Sequence, residues 1–228
     1  MSTTHLRPGV LNLRKPYGGM QMEGPIAIWY ARSTRVRHDR LETAQSIAAQ
    51  VPAGGAILEV APGPGYLAIE LARCGDFHVS GLDISRSFVR IASQNAREAG
   101  VSIDFHHGDV LRMPFASDAF DFIVCQAAFK NFPDPVAALN EMWRVLKPGG
   151  RVSILDLRKD APLDAIHQEV RSMHLSPLNA WVTKQVFRFG LLRAAYPREK
   201  LEAVVAQSRF GDGEIVTDGI GFDLRLRK

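Results

Sequence analysis

An α/β fold, doubly wound around a mixed seven-stranded sheet, is what this 228-residue sequence predicts. Three observations carry the expectation. Five short apolar runs of strand length alternate with stretches of helical spacing. Glycine and proline punctuate nearly every junction between them. After residue 157 the alternation gives way to a helical insertion and then, near the C-terminus, to a period of two.

Each element follows from its residues. Positions 1 to about 25 are rich in Gly and Pro without a clear period, and read as an arm. Asp39 and Glu42 resemble a capping box, opening a helix spaced by Leu41, Ala44, Ala48 and Val51. Strand one covers residues 56–61, and Pro62-Gly63-Pro64-Gly65 turns it into a helix with Leu67 and Leu71. Strand two covers 77–83. Ser85 then caps a helix whose face is Phe88, Ala92, Ala96 and Ala99. Strands three and four cover 101–107 and 119–126. Asp134 before Pro135 starts a helix with Leu139, Met142 and Leu146 on one face, and Pro148-Gly149-Gly150 ends it. Strand five covers 151–157. Leu163, Ile166, Val170 and Met173 then form a helical stripe, with Trp181, Phe187 and Phe189 beyond. A helix from about residue 198 carries Leu201, Val204 and Val205. In the tail Phe222, Leu224 and Leu226 alternate with Asp223, Arg225 and Arg227, which reads as an antiparallel hairpin. The expected division is an arm or lid over residues 1–38 and a Rossmann-like domain over 39–228. A helical insertion after strand five occupies about 158–196.

Composition excludes several classes. An apolar fraction of 46% with 23% charged residues is that of a globular chain. Two cysteines, Cys74 and Cys125, are too few for a disulfide framework or a four-thiolate zinc site. No apolar run reaches the length of a membrane span, and no signal-like core precedes a cleavage site, so a cytoplasmic location is expected. The net charge of +4 and pI near 9.3 are mildly basic. Arg32, Arg35, Arg37 and Arg40 cluster early. A solvated helix face outweighs a nucleic-acid footprint as their reading.

In an open α/β sheet, ligands bind beyond the carboxyl ends of the strands. Gly63 and Gly65 let backbone approach a ligand after strand one. Asp83, ending strand two, is placed to accept both hydroxyls of a ribose. Asp109, after strand three, could receive the exocyclic amine of an adenine, and Glu59 could organise the glycine turn from beneath. Gly63-x-Gly65-x-x-Ala68 also fits a dinucleotide fingerprint loosely. Pro62 and Pro64 remove two donors that a pyrophosphate would use, which favours an adenosine ligand with one small carboxylate.

These residues carry a resemblance. Ile57-Leu58-Glu59-Val60-Ala61-Pro62-Gly63-Pro64-Gly65 resembles motif I of the class I S-adenosylmethionine-dependent methyltransferases. Gly81-Leu82-Asp83-Ile84-Ser85 resembles their second motif. Gly108-Asp109-Val110-Leu111-Arg112-Met113-Pro114-Phe115 resembles their adenine-site motif. Phe120-Asp121-Phe122-Ile123-Val124 and Arg144-Val145-Leu146-Lys147-Pro148-Gly149-Gly150 resemble the later ones. The resemblance runs from about residue 56 to 157 and is nearest to the ubiquinone/menaquinone-biosynthesis-like group. It implies S-adenosyl-L-methionine as cofactor and S-adenosyl-L-homocysteine as product. It implies backbone from Ala61 to Gly65 near the methionine moiety, Asp83 with Ile84 at the ribose, and Asp109 and Val110 at the adenine. It also implies Gln126 beside the reaction centre, and Tyr30 and Arg35 toward the cofactor carboxylate. Ala61 departs from the family, which usually has glycine there.

Methyl transfer from a sulfonium is an in-line displacement, and an oxygen acceptor of moderately high pKa wants a general base. His167, His174 and Tyr17 are the foremost candidates, with Tyr30 and His38 behind them. His167 and His174 are about 10 Å apart on one helix, too far for a shared metal, so none is expected. The aromatic insertion reads as its own small core and as the roof of an apolar acceptor pocket. Strand four ends in Cys125-Gln126-Ala127-Ala128-Phe129. By family comparison this lacks the Asn/Asp-Pro-Pro-aromatic motif of base-modifying enzymes. The expected partner is therefore a small, fairly apolar acceptor methylated at O, N or C. The Tyr17-Gly18-Gly19 arm is expected to order when cofactor binds, and a homodimer stays open. Two other readings remain: a cofactor-binding regulatory protein without catalysis, and a nicotinamide-dependent oxidoreductase.

Overall fold

A computed structural model describes residues 22–35, 39–172 and 195–228. Helix α1 is Gly24–Ser33 and α2 is Asp39–Ala48. Strand β1 (Ala56–Val60), α3 (Tyr66–Cys74), β2 (His78–Asp83), α4 (Arg86–Glu98) and β3 (Asp104–His107) follow. Then come β4 (Phe120–Gln126), a 3-10 turn at Phe129–Asn131, α5 (Pro135–Val145), β5 (Leu146–Leu157) and α6 (Leu163–Ser172). Helix α7 (Arg198–Gln207) and the strands β6 (Glu214–Asp218) and β7 (Gly221–Arg227) close the chain.

The sheet has seven strands in the order β3-β2-β1-β4-β5-β7-β6. The first five are parallel; β7 runs antiparallel to β5 and pairs with β6 as a hairpin. This is the doubly wound mixed sheet that the alternation predicts. Because strand side chains alternate, each strand feeds two cores. Ile57, Phe122 and Val124 meet α2 and α3 on one face. Leu58, Val60, Ile123 and Cys125 meet α5 and α7 on the other.

Local signals hold at the caps. The Ser85 hydroxyl accepts from Phe88 N at 3.0 Å, and Asp134 accepts from Ala137 N at 3.0 Å. Several expectations need correction. The arm contains a helix, α1, which opens at Gly24 with Pro25 in its first turn. In α2 the buried residues are Ala44 and Ile47, with Val51 buried just beyond the helix end, while Leu41 is exposed. Strand β3 starts at Asp104 rather than 101. Residues 148–150 do not separate a helix from a strand. Phe120 pairs with Leu146 and Phe122 with Arg151, so residues 147–150 bulge from the ladder inside β5. In α6, Ile166 and Val170 are buried but Leu163 is exposed; Met173 and the rest of the insertion to residue 194 lie outside the described residues.

Candidate functional site

Strand order reverses between β1 and β4, and the turn after β1 sits at that crevice. Ala61, Gly63 and Gly65 all have left-handed backbone, with φ of 55°, 56° and 78°. Every amide of this turn is already used. Ala61 N donates to Leu82 O at 2.8 Å, Gly63 N to Asp83 Oδ2 at 3.0 Å, and Gly65 N to Pro62 O at 3.0 Å. Asn95 of α4 ties the turn from the side, donating to Pro64 O at 2.8 Å. Gly65 is needed for packing: a Cβ there would sit 2.9 Å from Ala92 Cβ and 2.8 Å from Phe105 Cζ. A Cβ on Gly63 would meet nothing within 4 Å, so that glycine opens onto space.

The space is a cleft of about 620 Å³ at the carboxyl ends of β1, β2 and β4. Clefts of about 970 and 740 Å³ lie elsewhere, but neither includes any part of the glycine turn. Of the expected site residues, Ala61, Gly63, Asp83, Ile84, Asp109, Val110, Gln126 and Tyr30 line the cleft. Glu59, Gly65 and Arg35 do not. Gly65 lies under α4, and Arg35 lies in the groove between α1 and α4. His167 is exposed on α6, away from the cleft; Tyr17, His174 and His38 lie outside the described residues.

Asp83 is the hub of the site. Its two oxygens accept from Gly63 N and from Ser85 N, the latter at 2.8 Å. Burial pushes its carboxyl up to about 6 against the pull of those two amides, with the Glu23 charge adding to the rise. Glu59 lies beneath the first turn of α3, just past the glycine turn. It is fully enclosed, and burial pushes its carboxyl up to about 8 while the Ala68 amide in the first turn of α3 pulls the other way. Among the described residues its Oε2 has no hydrogen-bond partner. A protonated carboxyl accounts for both facts, since a neutral acid is far cheaper to bury than an anion. Asp109 Oδ1 accepts from Leu111 N at 2.9 Å, closing a tight turn. The Glu141–Arg144 pair fixes the loop beyond it: Glu141 accepts from Met113 N, and Arg144 donates to Met113 O and Phe115 O. His106 and His107 diverge as strand geometry requires, one ring edge-on to Phe115, the other 3.1 Å from Ile84 O. Burial raises the thiol of Cys125, which stays protonated inside the core, and raises that of half-buried Cys74, with the Glu70 charge adding to the rise.

Sequence reasoning missed two parts of the site. Met22 and Glu23 line the cleft and clip it to α4. Ser85 Oγ donates to Met22 O at 2.5 Å, while Glu23 accepts from Arg86 N, Ser87 N and Ser87 Oγ. A carboxylate at a helix N-terminus is well placed for those free amides. The second part is the far wall, Ala127, Ala128, Asn131, Phe132 and Pro133. A buried ion pair underpins it. Lys130 Nζ donates to Asp156 Oδ1 at 2.8 Å and to Ala127 O at 2.6 Å, and Lys130 N donates to Asp156 Oδ2 at 3.0 Å.

Residues 57–150 match the methyltransferase-domain family. Over 101 residues the chain is 42% identical to a demethylmenaquinone methyltransferase of Deinococcus radiodurans, covering 44% of this chain and 42% of the relative. Over 107 residues it is 40% identical to a ubiquinone/menaquinone biosynthesis C-methyltransferase of Bdellovibrio bacteriovorus, covering 46% and 45%. The matching stretch thus spans less than half the length of these curated relatives. The fold is similar to that of a SAM-dependent methyltransferase from Aquifex aeolicus, with a TM-score of 0.65, 17% identity and coverage of 85% and 95%. It is also similar to that of the [4+2]-cyclase SpnF, with a TM-score of 0.61, 21% identity and coverage of 82% and 80%. Among the described residues no helix is long and apolar enough to cross a membrane. Across residues 57–150 the chain is thus similar to the class I S-adenosylmethionine-dependent methyltransferases and distantly homologous to the ubiquinone/menaquinone methyltransferases.

Proposed function

We propose that this protein transfers a methyl group from S-adenosylmethionine to a small, fairly apolar acceptor. The observation that carries the reading is the pairing of buried Asp83 with the open Gly63 backbone in one cleft. When bound, S-adenosylmethionine supplies a methyl group already activated on sulfur. Asp83 accepts the two ribose hydroxyls on lone pairs left over from its two backbone amides. Ile84, 59% exposed, and Val110 offer apolar surface to the adenine, and Asp109 accepts its amine. Gly63 allows close approach of the methionine end. Gln126 and the apolar wall of Ala127, Ala128 and Phe132 border the acceptor and exclude water from the displacement.

The turn chemistry argues against a dinucleotide. Its two prolines have no N–H, and the amides of Ala61, Gly63 and Gly65 are engaged within the fold. A pyrophosphate would find no free donor across residues 61–65.

Calorimetric titration with S-adenosylmethionine and S-adenosylhomocysteine, with NADH as control, tests the reading. Micromolar binding of the two sulfur compounds alone is expected. Asp83→Ala should weaken it by about 1–3 kcal/mol through lost charge-assisted hydrogen bonds. Binding without turnover on any apolar acceptor would favour a non-catalytic cofactor-binding protein; binding of NADH alone would overturn the cofactor assignment.

A further inference from the structure

We propose that the seam between α1 and α4 docks on an anionic lipid bilayer. Helix α1 turns only Ala27 and Ala31 fully inward. Its larger apolar residues face out: Ile26 is 41% exposed, Ile28 47% and Trp29 67%. Arg32 stands one turn from both Ile28 and Trp29, so the apolar crest carries a cation on its flank. Beside it a groove of about 740 Å³ runs between α1 and α4 and gathers Arg32, Arg35, Arg90 and Arg97. Among the described residues the one carboxylate lining that groove, Glu98, accepts from Gln94 at 2.9 Å. Among the described residues, no carboxylate pairs with these four guanidinium groups.

Four unpaired cations select an anionic partner. The crest selects a bilayer over a nucleic acid. Tryptophan settles at the headgroup level and isoleucine gains by entering the acyl boundary, whereas isoleucine offers a polynucleotide neither stacking nor hydrogen bonds. Tyr30 of the same helix lines the cleft, so docking here sets the mouth of the cleft beside the membrane. The proposal does not depend on the methyl-transfer reading.

Co-sedimentation of the full chain with vesicles is the test. Vesicles of phosphatidylcholine mixed with phosphatidylglycerol should bind the protein, less well as salt rises; vesicles of phosphatidylcholine alone should not. Each arginine contributes about a fivefold factor near an anionic surface, so Arg32→Gln, Arg90→Gln and Arg97→Gln together should weaken binding about a hundredfold. Trp29→Ser should weaken it about tenfold. All four side chains are exposed, and unchanged thermal unfolding confirms that the variants fold. Equal binding to both vesicle types, no vesicle binding, or wild-type binding by either variant overturns the proposal. Binding of polyuridylate without vesicle binding assigns the seam to nucleic acid instead. A dimer in solution that shields Trp29 from a soluble quencher assigns it to a second copy of the chain.

Discussion

Ala61 holds a backbone angle, φ 55°, that costs a residue with a Cβ about 1 kcal/mol or more relative to glycine. Ala127 does the same across the cleft at φ 60°. Strain therefore collects where β1 and β4 release the chain into the site. Glycine relieves that strain but loses more entropy on folding. Ala61→Gly should still stabilise the protein by up to about 1 kcal/mol, measured as a rise in the urea midpoint with unchanged slope. Glu59 stores free energy in another form. Its carboxyl, held near 8 by burial, keeps a proton that the unfolded chain gives up near 4.5. The native state binds more protons in that window, so stability falls as pH rises from about 4.5 to about 8. Glu59→Gln should flatten this part of the stability profile, seen in thermal melts across that range. Glu59 and Asp83 stand out in the sequence as acids inside apolar strands. Which of them holds the glycine turn does not, because that depends on how β2 registers against β1. The register puts Asp83 under Gly63 and leaves Glu59 to the first turn of α3.

Elements differ in how far the sequence reveals them. Helices α4 and α5 are legible because caps and apolar spacing agree: Ser85 and Asp134 close their first turns, and Phe88, Ala92, Leu139 and Met142 point inward. Helix α1 is hidden because its large apolar residues point outward and its buried face is only two alanines. Periodicity read on hydrophobicity then has nothing to follow. The wall after β4 is hidden for another reason. Lys130 looks like an ordinary surface cation until Asp156, 26 residues away, comes to meet it in the core. Replacing one member of such a pair leaves the other charge buried alone. Lys130→Met should cost about 3–5 kcal/mol, while Lys130→Met with Asp156→Leu should recover much of it. Chemical denaturation of the two variants and of Asp156→Leu alone closes the cycle. If the double variant is no more stable than Lys130→Met, the ion pair does not account for the loss.

At the scale of the whole molecule, topology assembles the site from segments far apart in sequence. The arm at Met22 and Glu23, the β1 turn, Asp83 and the β4 wall meet only because β1 and β4 pair at the centre of the sheet. Order and spacing predict that meeting in outline. The Glu23 clip on Ser87, 64 positions away in sequence, has no local signal at all. The assembly couples ligand binding to pH through Asp83. Burial holds its carboxyl near 6, above the ordinary 3.8, so below about pH 6 the free protein carries a proton there. If Asp83 receives the ribose as proposed, the hydroxyls donate to its ionised form, and binding must expel that proton. Affinity for S-adenosylhomocysteine should therefore fall by up to about tenfold per pH unit below about pH 6, and level off above it. Apo stability has the opposite slope. The raised carboxyl favours the native state at low pH, and that contribution is lost as pH rises from about 3.8 to about 6. Calorimetry in two buffers of different ionisation enthalpy reads the released proton directly. Asp83→Asn should bind more weakly and show neither the slope nor the proton. If the asparagine variant keeps the wild-type pH dependence, the titrating group is elsewhere and Asp83 does not receive the ribose.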